Sequence, residues 1–273
     1  MKIEFWGVRG SMAVPGADYL EFGGNTGSII VKHAAAPEHF LVLEAGTGLA
    51  RFGASLDFTQ HHRATVLLSH LSLYNIIGFQ FTPFAFSPAC QTRILGPSTR
   101  NIALESIFDL IMAPSFSPVY GRSNLMADVA FEEISPSTRT IEGYSVMALP
   151  FRHKSDADSW GYRISQADGS LAYISDGRLR DINGKLVPNA LALAENVDVL
   201  VIGAFDPSFE KRHYCTYDDA LELAHSAGAR ALVLTHHHPQ ATDDHLAQLE
   251  DSLQRRYSQL ELFIANEGLA LTL

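Results

Sequence analysis

Thr65-Val66-Leu67-Leu68-Ser69-His70-Leu71-Ser72-Leu73-Tyr74-Asn75 is the stretch on which the fold turns. Its first five residues are uncharged and mainly apolar, as a strand covered on both faces requires. His70 comes directly at the end of that strand. Side chains at strand ends are rigidly held and face the loops, which is where chemistry is usually built. Residues 71–79 then read as a short helix.

Working outward, the same pattern recurs three times. A strand at 145–151 ends just before His153. Paired strands at 161–164 and 171–175 lead into Asp176. A buried strand at 231–235 ends at His236. Imidazole and carboxylate are donors that a divalent transition metal such as Zn²⁺ accepts. A metal held there would lower the pKa of bound water and polarise an ester or amide. Each residue also has a plainer role open to it. A lone histidine is more often a hydrogen-bonded core or surface group. Asp176-Gly177 is a strong turn signal, and His236-His237-His238 has the composition of a solvated loop. Spacing alone leaves both roles open.

The rest of the chain frames these positions. Strands are expected at 2–8, 27–31, 40–44, 91–96, 197–202 and 260–265, and helices at 101–112, 216–227 and 243–255; 135–138 reads as loop. Asp218 and Asp219 suit the positive end of the 216–227 helix, and Gly228 suits its C-terminus. Strands come first in each half, with helices between the later ones. No Pro/Ser-rich linker divides the halves. The expectation is one domain over 1–273, an α/β arrangement of two sheets face to face with helices outside.

Composition narrows the function. Apolar residues make up 47% and charged residues only 18%, so a large fraction of the chain is expected to be buried. The net charge of −10 argues against a general nucleic-acid binder, though not against a small phosphorylated substrate drawn to a local metal. Cys90 and Cys215 lack metal-ligand spacing and read as reduced thiols of a cytoplasmic protein. The N-terminus has no apolar core of a signal peptide, and no run approaches the roughly 18 apolar residues of a membrane span.

Several ordered motifs carry a resemblance. Phe5-Trp6-Gly7-Val8-Arg9-Gly10-Ser11, Phe22-Gly23-Gly24-Asn25-Thr26 and Leu43-Glu44-Ala45-Gly46-Thr47-Gly48 open the series. Trp160-Gly161-Tyr162-Arg163-Ile164, Tyr173-Ile174-Ser175-Asp176 and Leu232-Val233-Leu234-Thr235-His236-His237 complete it. Together they resemble the cyclic-nucleotide-phosphodiesterase-like bacterial branch of the metallo-β-lactamase superfamily. The resemblance implies a four-layer αββα sandwich, two divalent metals between the sheets, and hydrolysis of a phosphodiester or related ester. It implies His70, His153, Asp176 and His236 as metal ligands, with Asp176 and His236 also catalytic. Relatives are often dimers, so a homodimer is a further implication.

The departures matter as much. The family's His-x-His-x-Asp-His motif keeps only His70 here. Ser72 stands for the second histidine, Tyr74 for the aspartate and Asn75 for the last histidine. Neutral Ser and Asn are poor zinc ligands, and a phenol with a pKa near ~10 is a reluctant one. Glu44 replaces an aspartate, and Tyr214-Cys215-Thr216 replaces a Gly-His-Ser/Thr stretch whose histidine is thought to assist proton transfer; His213 lies one residue away. The expectation is therefore zero or one divalent metal (Zn, Mn or Fe) per chain, with the second position lost. Tyr74 would be able to fill the vacated volume, and Glu44, His237 and Tyr214 would line the pocket. Three functions remain: a hydrolase acting on a small-molecule substrate with one metal or an atypical site, a silent relative that binds a small ligand or a protein partner, or a structural or assembly role in which the pocket plays no part. Arg9 is expected to clamp loop carbonyls, and Phe79, Phe81, Phe84 and Phe86 to pack in the core or form a lid.

Overall fold

Side chains alternate across each strand, and that alternation sorts the apolar residues into three layers. Strand β3 (Ala36–Leu43) shows the rule: Phe40 and Val42 pack on one face, Leu41 and Leu43 on the other. The same split divides Leu171 and Tyr173 from Ala172 and Ile174 in β10 (Gly169–Ile174), and Val233 from Leu232 and Leu234 in β12 (Ala231–Thr235). Three apolar layers need four structural layers to cover them. The computed structural model, which describes residues 1–98, 102–115, 117, 121–152, 158–209 and 215–273, has those four.

The first sheet contains β1 (Lys2–Gly7), β2 (Ser28–His33), β3, β4 (His62–Leu67), β5 (Cys90–Gly96), β6 (Asp128–Glu133) and β14 (Ala270–Thr272), in the order β14-β1-β2-β3-β4-β5-β6. The second contains β7 (Ser137–Ile141), β8 (Tyr144–Arg152), β9 (Asp158–Gln166), β10, β11 (Val199–Gly203), β12 and β13 (Glu261–Ile264), in the order β13-β12-β11-β10-β9-β8-β7. Strands β3 to β6 run parallel, as do β10 to β13. Helices α1 (Thr47–Ala54), α2 (Leu73–Ile76), α3 (Pro83–Phe86) and α4 (Leu104–Ile111) belong to the first half. Helices α5 (Pro188–Ala194), α6 (Tyr217–Ala227) and α7 (Asp243–Arg256) follow in the second. Residues of α1, α3 and α4 pack on the outer face of the first sheet, and those of α5, α6 and α7 on the outer face of the second.

The expected strands and helices are present, with ends displaced by a few residues. Four points differ. The helix expected over 71–79 is a single turn, α2, followed by a 3-10 segment at Ile77–Phe81. Gly78 forces this path: a Cβ there would lie 1.8 Å from the Gly46 carbonyl oxygen, so the chain presses against the first sheet's turn. Ser137 and Thr138 belong to an edge strand rather than to a loop. Strands β6 and β14 and helix α5 had no strong signal, because β6 and β14 are part-exposed edges and α5 is a short alanine-rich turn behind Pro188. Phe79 and Phe84 are core, whereas Phe81 is 52% exposed.

Candidate active site

The parallel strands of both sheets deliver their C-terminal ends to one place. His70 follows β4 of the first sheet, and Asp176 and His236 follow β10 and β12 of the second. The sheets are tied together beside them. The Tyr162 hydroxyl donates to the Leu68 carbonyl at 2.6 Å, and the Trp160 N–H donates to the Ser69 carbonyl at 2.8 Å.

Backbone packing of the N-terminal glycine motif sets the fourth wall. Gly10 lies flat on the His236 ring, where a Cβ would come within 2.1 Å of Cδ2. Arg9 is fully buried and donates to the carbonyls of Gly23 and Ala241, each at 2.6 Å, and to that of His238 at 3.4 Å. It is the expected clamp on loop carbonyls. His236 and Glu44 both have left-handed backbone, φ 65° and 66°, which non-glycine residues adopt at a cost of about 1–3 kcal/mol. Packing at the site holds both residues in this conformation.

His70, Asp176 and His236 converge, and all three are buried. His70 Nε2 and His236 Nε2 lie 3.3 and 3.4 Å from the same oxygen, Asp176 Oδ2. The Tyr74 hydroxyl stands among them. It donates to Asp176 Oδ2 at 2.9 Å and is 2.9 Å from His70 Nε2. Since the hydroxyl proton goes to Asp176, His70 must donate its Nε2 proton to the phenol oxygen. His70 Nδ1 then accepts from Ser69 Oγ at 2.9 Å and from the Asn75 amide at 3.1 Å. These contacts are satisfied together by the tautomer of His70 that carries its proton on Nε2. Burial, reinforced by the charge of Asp176, pushes the Tyr74 phenol far above its ordinary pKa, so it remains a proton donor.

Zinc ligands at about 2.0–2.1 Å sit roughly 3.4 Å apart around a tetrahedron. The two imidazole–carboxylate distances match that edge, and His236 Nε2 is buried with no hydrogen-bond partner among the described residues. The group as a whole does not close. Among the described residues no set of three or more His, Cys, Asp or Glu side chains is arranged to hold a metal. In this arrangement His70 Nε2 faces the Tyr74 hydroxyl, so the donors in place among the described residues are two imidazoles and one carboxylate gathered around a phenol.

The remaining predicted positions fall as follows. Ser72 precedes α2, and Asn75 turns its amide onto His70. Glu44 is buried behind Ser69, accepting from its N–H at 3.1 Å and from the Tyr173 hydroxyl at 3.2 Å. Burial, helped by the charge of Asp176 against those donors, raises its pKa to about 8. His237 turns away from the cluster and donates from Nε2 to the Ala265 carbonyl at 2.7 Å; burial lowers its pKa to about 3. His153, His213 and Tyr214 lie outside the described residues. Sequence reasoning missed Ser69, whose hydroxyl bonds His70, and the pair Asp206–His245, which are joined at 2.6 Å. A serine beside a histidine, or an acid 39 residues from one, carries no sequence signal.

Solved structures share this fold along the whole chain. The metallo-β-lactamase fold protein YhfI from Bacillus subtilis superimposes with a TM-score of 0.67 at 17% identity, covering 99% of this chain and 98% of its own. The chain has the metallo-β-lactamase fold. A diphosphatase of the PhnP family matches with a TM-score of 0.70 at 16% identity, over 100% of this chain and 97% of its own. Zinc-bound PqqB from Methylobacterium extorquens matches with a TM-score of 0.68 at 16% identity, over all of both chains. The β-lactamase superfamily domain model matches residues 112–237, somewhat less than half of this metallo-β-lactamase-fold chain. No curated protein sequence matches it. Among the described residues, no helix is long and apolar enough to cross a membrane.

Proposed function

We propose that this chain is a hydrolase-like protein of the phosphodiester or related ester class whose dinuclear centre is eroded. The position retained, at most one per chain, comprises His70, Asp176 and His236 together with His153. The second metal position, which Ser72, Tyr74 and Asn75 would have to supply, is lost. One observation carries this reading: the Tyr74 hydroxyl bonds both His70 and Asp176, as a hydrogen-bonding stand-in for an ion. A divalent ion entering here would have to displace that hydroxyl and take the Nε2 lone pair of His70. The zinc held by PqqB and the diphosphatase activity of the PhnP-family protein are what make a hydrolytic role the leading one.

The same hydroxyl favours a second reading, a silent relative that uses the pocket for a small ligand. Metal content separates the two. Protein purified without a His-tag is expected to carry no more than one Zn, Mn or Fe per chain by elemental analysis. The triple variant Ser72→His, Tyr74→Asp, Asn75→His is expected to take up additional metal and to gain activity on bis-p-nitrophenyl phosphate. Two metals per wild-type chain, or a folded triple variant that takes up no more than wild type, would sink the eroded-site reading. A wild-type chain with no metal, inert on that diester with Mn²⁺ or Zn²⁺ added, would leave the silent reading in its place.

A further inference from the structure

A second titratable pair lies outside the Tyr74 network, joined to this site through the 205–209 turn, whose Phe205 packs on His236 and whose Phe209 packs on His245. Asp206 follows β11 and is 9% exposed. Its Oδ1 accepts the backbone N–H and the hydroxyl of Ser208 at 2.7 and 2.6 Å. Its Oδ2 is 2.6 Å from Nε2 of His245, in the first turn of α7. Burial pushes the Asp206 carboxyl up, but the Ser208 and His245 donors outweigh it and hold the group below its ordinary pKa.

A carboxylate at Oδ2 requires the proton on Nε2, which leaves Nδ1 as the open nitrogen of the neutral ring. Among the described residues nothing hydrogen-bonds Nδ1, and 35% of the side chain is exposed. The ring is also held laterally. Phe209 packs 4.9 Å from it and stacks on His238 at 4.8 Å. The same 205–209 turn places the Phe205 ring 5.5 Å from His236, so the pair is coupled to the wall of the candidate site. An imidazole oriented by a buried carboxylate, with its second nitrogen open, is built for proton transfer.

We propose that Asp206 and His245 are the proton-transfer pair of this site, with His245 Nδ1 the exchanging atom and Asp206 its positioning residue. The proposal rests on the hydrolase reading above. As the attacking water oxygen bonds to phosphorus or to the acyl carbon, Nδ1 takes the water proton. The imidazolium then returns that proton to the leaving oxygen as its bond breaks. Asp206 keeps its charge and the Nε2 hydrogen bond throughout, so protons and electrons balance without a co-reactant. Two of the nearby imidazoles are engaged otherwise: His70 with Tyr74, and His237 with Ala265.

The test uses the full chain and bis-p-nitrophenyl phosphate at fixed metal loading. His245→Ala is expected to lower kcat by about 10²–10⁴-fold with KM little changed. Added imidazole should restore part of that loss, whereas His245→Gln, which keeps a donor for Asp206 and guards against misfolding, should be equally slow and not rescued. Histidine ¹⁵N NMR should find the His245 proton on Nε2 in wild type and displaced in Asp206→Asn. An active chain with an unaffected His245→Ala, or a ring protonated on Nδ1 alone, overturns the proton-transfer role and spares the hydrolase reading. A wild-type chain inert toward the diester at every loading overturns both.

Discussion

Glu44 shows how a single residue records the site's low polarity. Its carboxyl is buried against Ser69 and Tyr173, with Oε2 unpartnered among the described residues, and its pKa is raised to about 8. In the unfolded chain it ionises near its ordinary value of 4.5. Between those values the unfolded state has lost a proton that the folded state keeps. Stability therefore falls as pH rises through this window, by up to roughly 1.4 kcal/mol per pH unit, and levels off above the folded pKa. Glu44→Gln should flatten that slope in urea titrations between pH 5 and 8. A variant whose stability declines as steeply as wild type would place the pH dependence elsewhere. His70, Asp176 and His236 were legible as individuals because each sits where an apolar strand stops. Their bonding to Tyr74 was not, because Tyr74 meets Asp176 across 102 residues of chain.

Among the elements, α6 carries the clearest local code. Thr216 caps it, accepting from the Asp219 N–H, while the Asp219 carboxylate accepts from the Thr216 N–H at 2.8 Å; Gly228 closes it in left-handed conformation, φ 69°. The sequence carries these signals within a dozen residues, so the helix was readable to within one residue. Thr216→Ala should cost about 1 kcal/mol, seen as a lowered urea midpoint at unchanged m-value. No loss of stability would show that tertiary packing, not the cap, holds this end. The edge strands β6 and β7 were harder to read. Only one of their faces is covered, so their apolar residues are few, and their pairing is settled by neighbours far away in the chain.

For the whole molecule, the layer between the sheets draws on both halves. Ile3, Phe5, Leu41 and Leu43 meet Tyr162, Tyr173, Val201 and Val233 there. Neither sheet can bury that face without the other. We expect residues 1–273 to unfold as one cooperative unit, with calorimetric and van't Hoff enthalpies in agreement. Two separated transitions would mean that the halves are independent domains.

The amino-acid sequence by itself determined where the central strands run and which side chains stand at their ends, since these follow from local periodicity and termination. Only the tertiary structure decided what those side chains do to one another. Both sheets had to stack before the Tyr74 hydroxyl could reach Asp176 and His70, or His245 could reach Asp206. A hydrogen bond depends on tenths of an ångström between residues remote in the chain, and no local pattern encodes that distance.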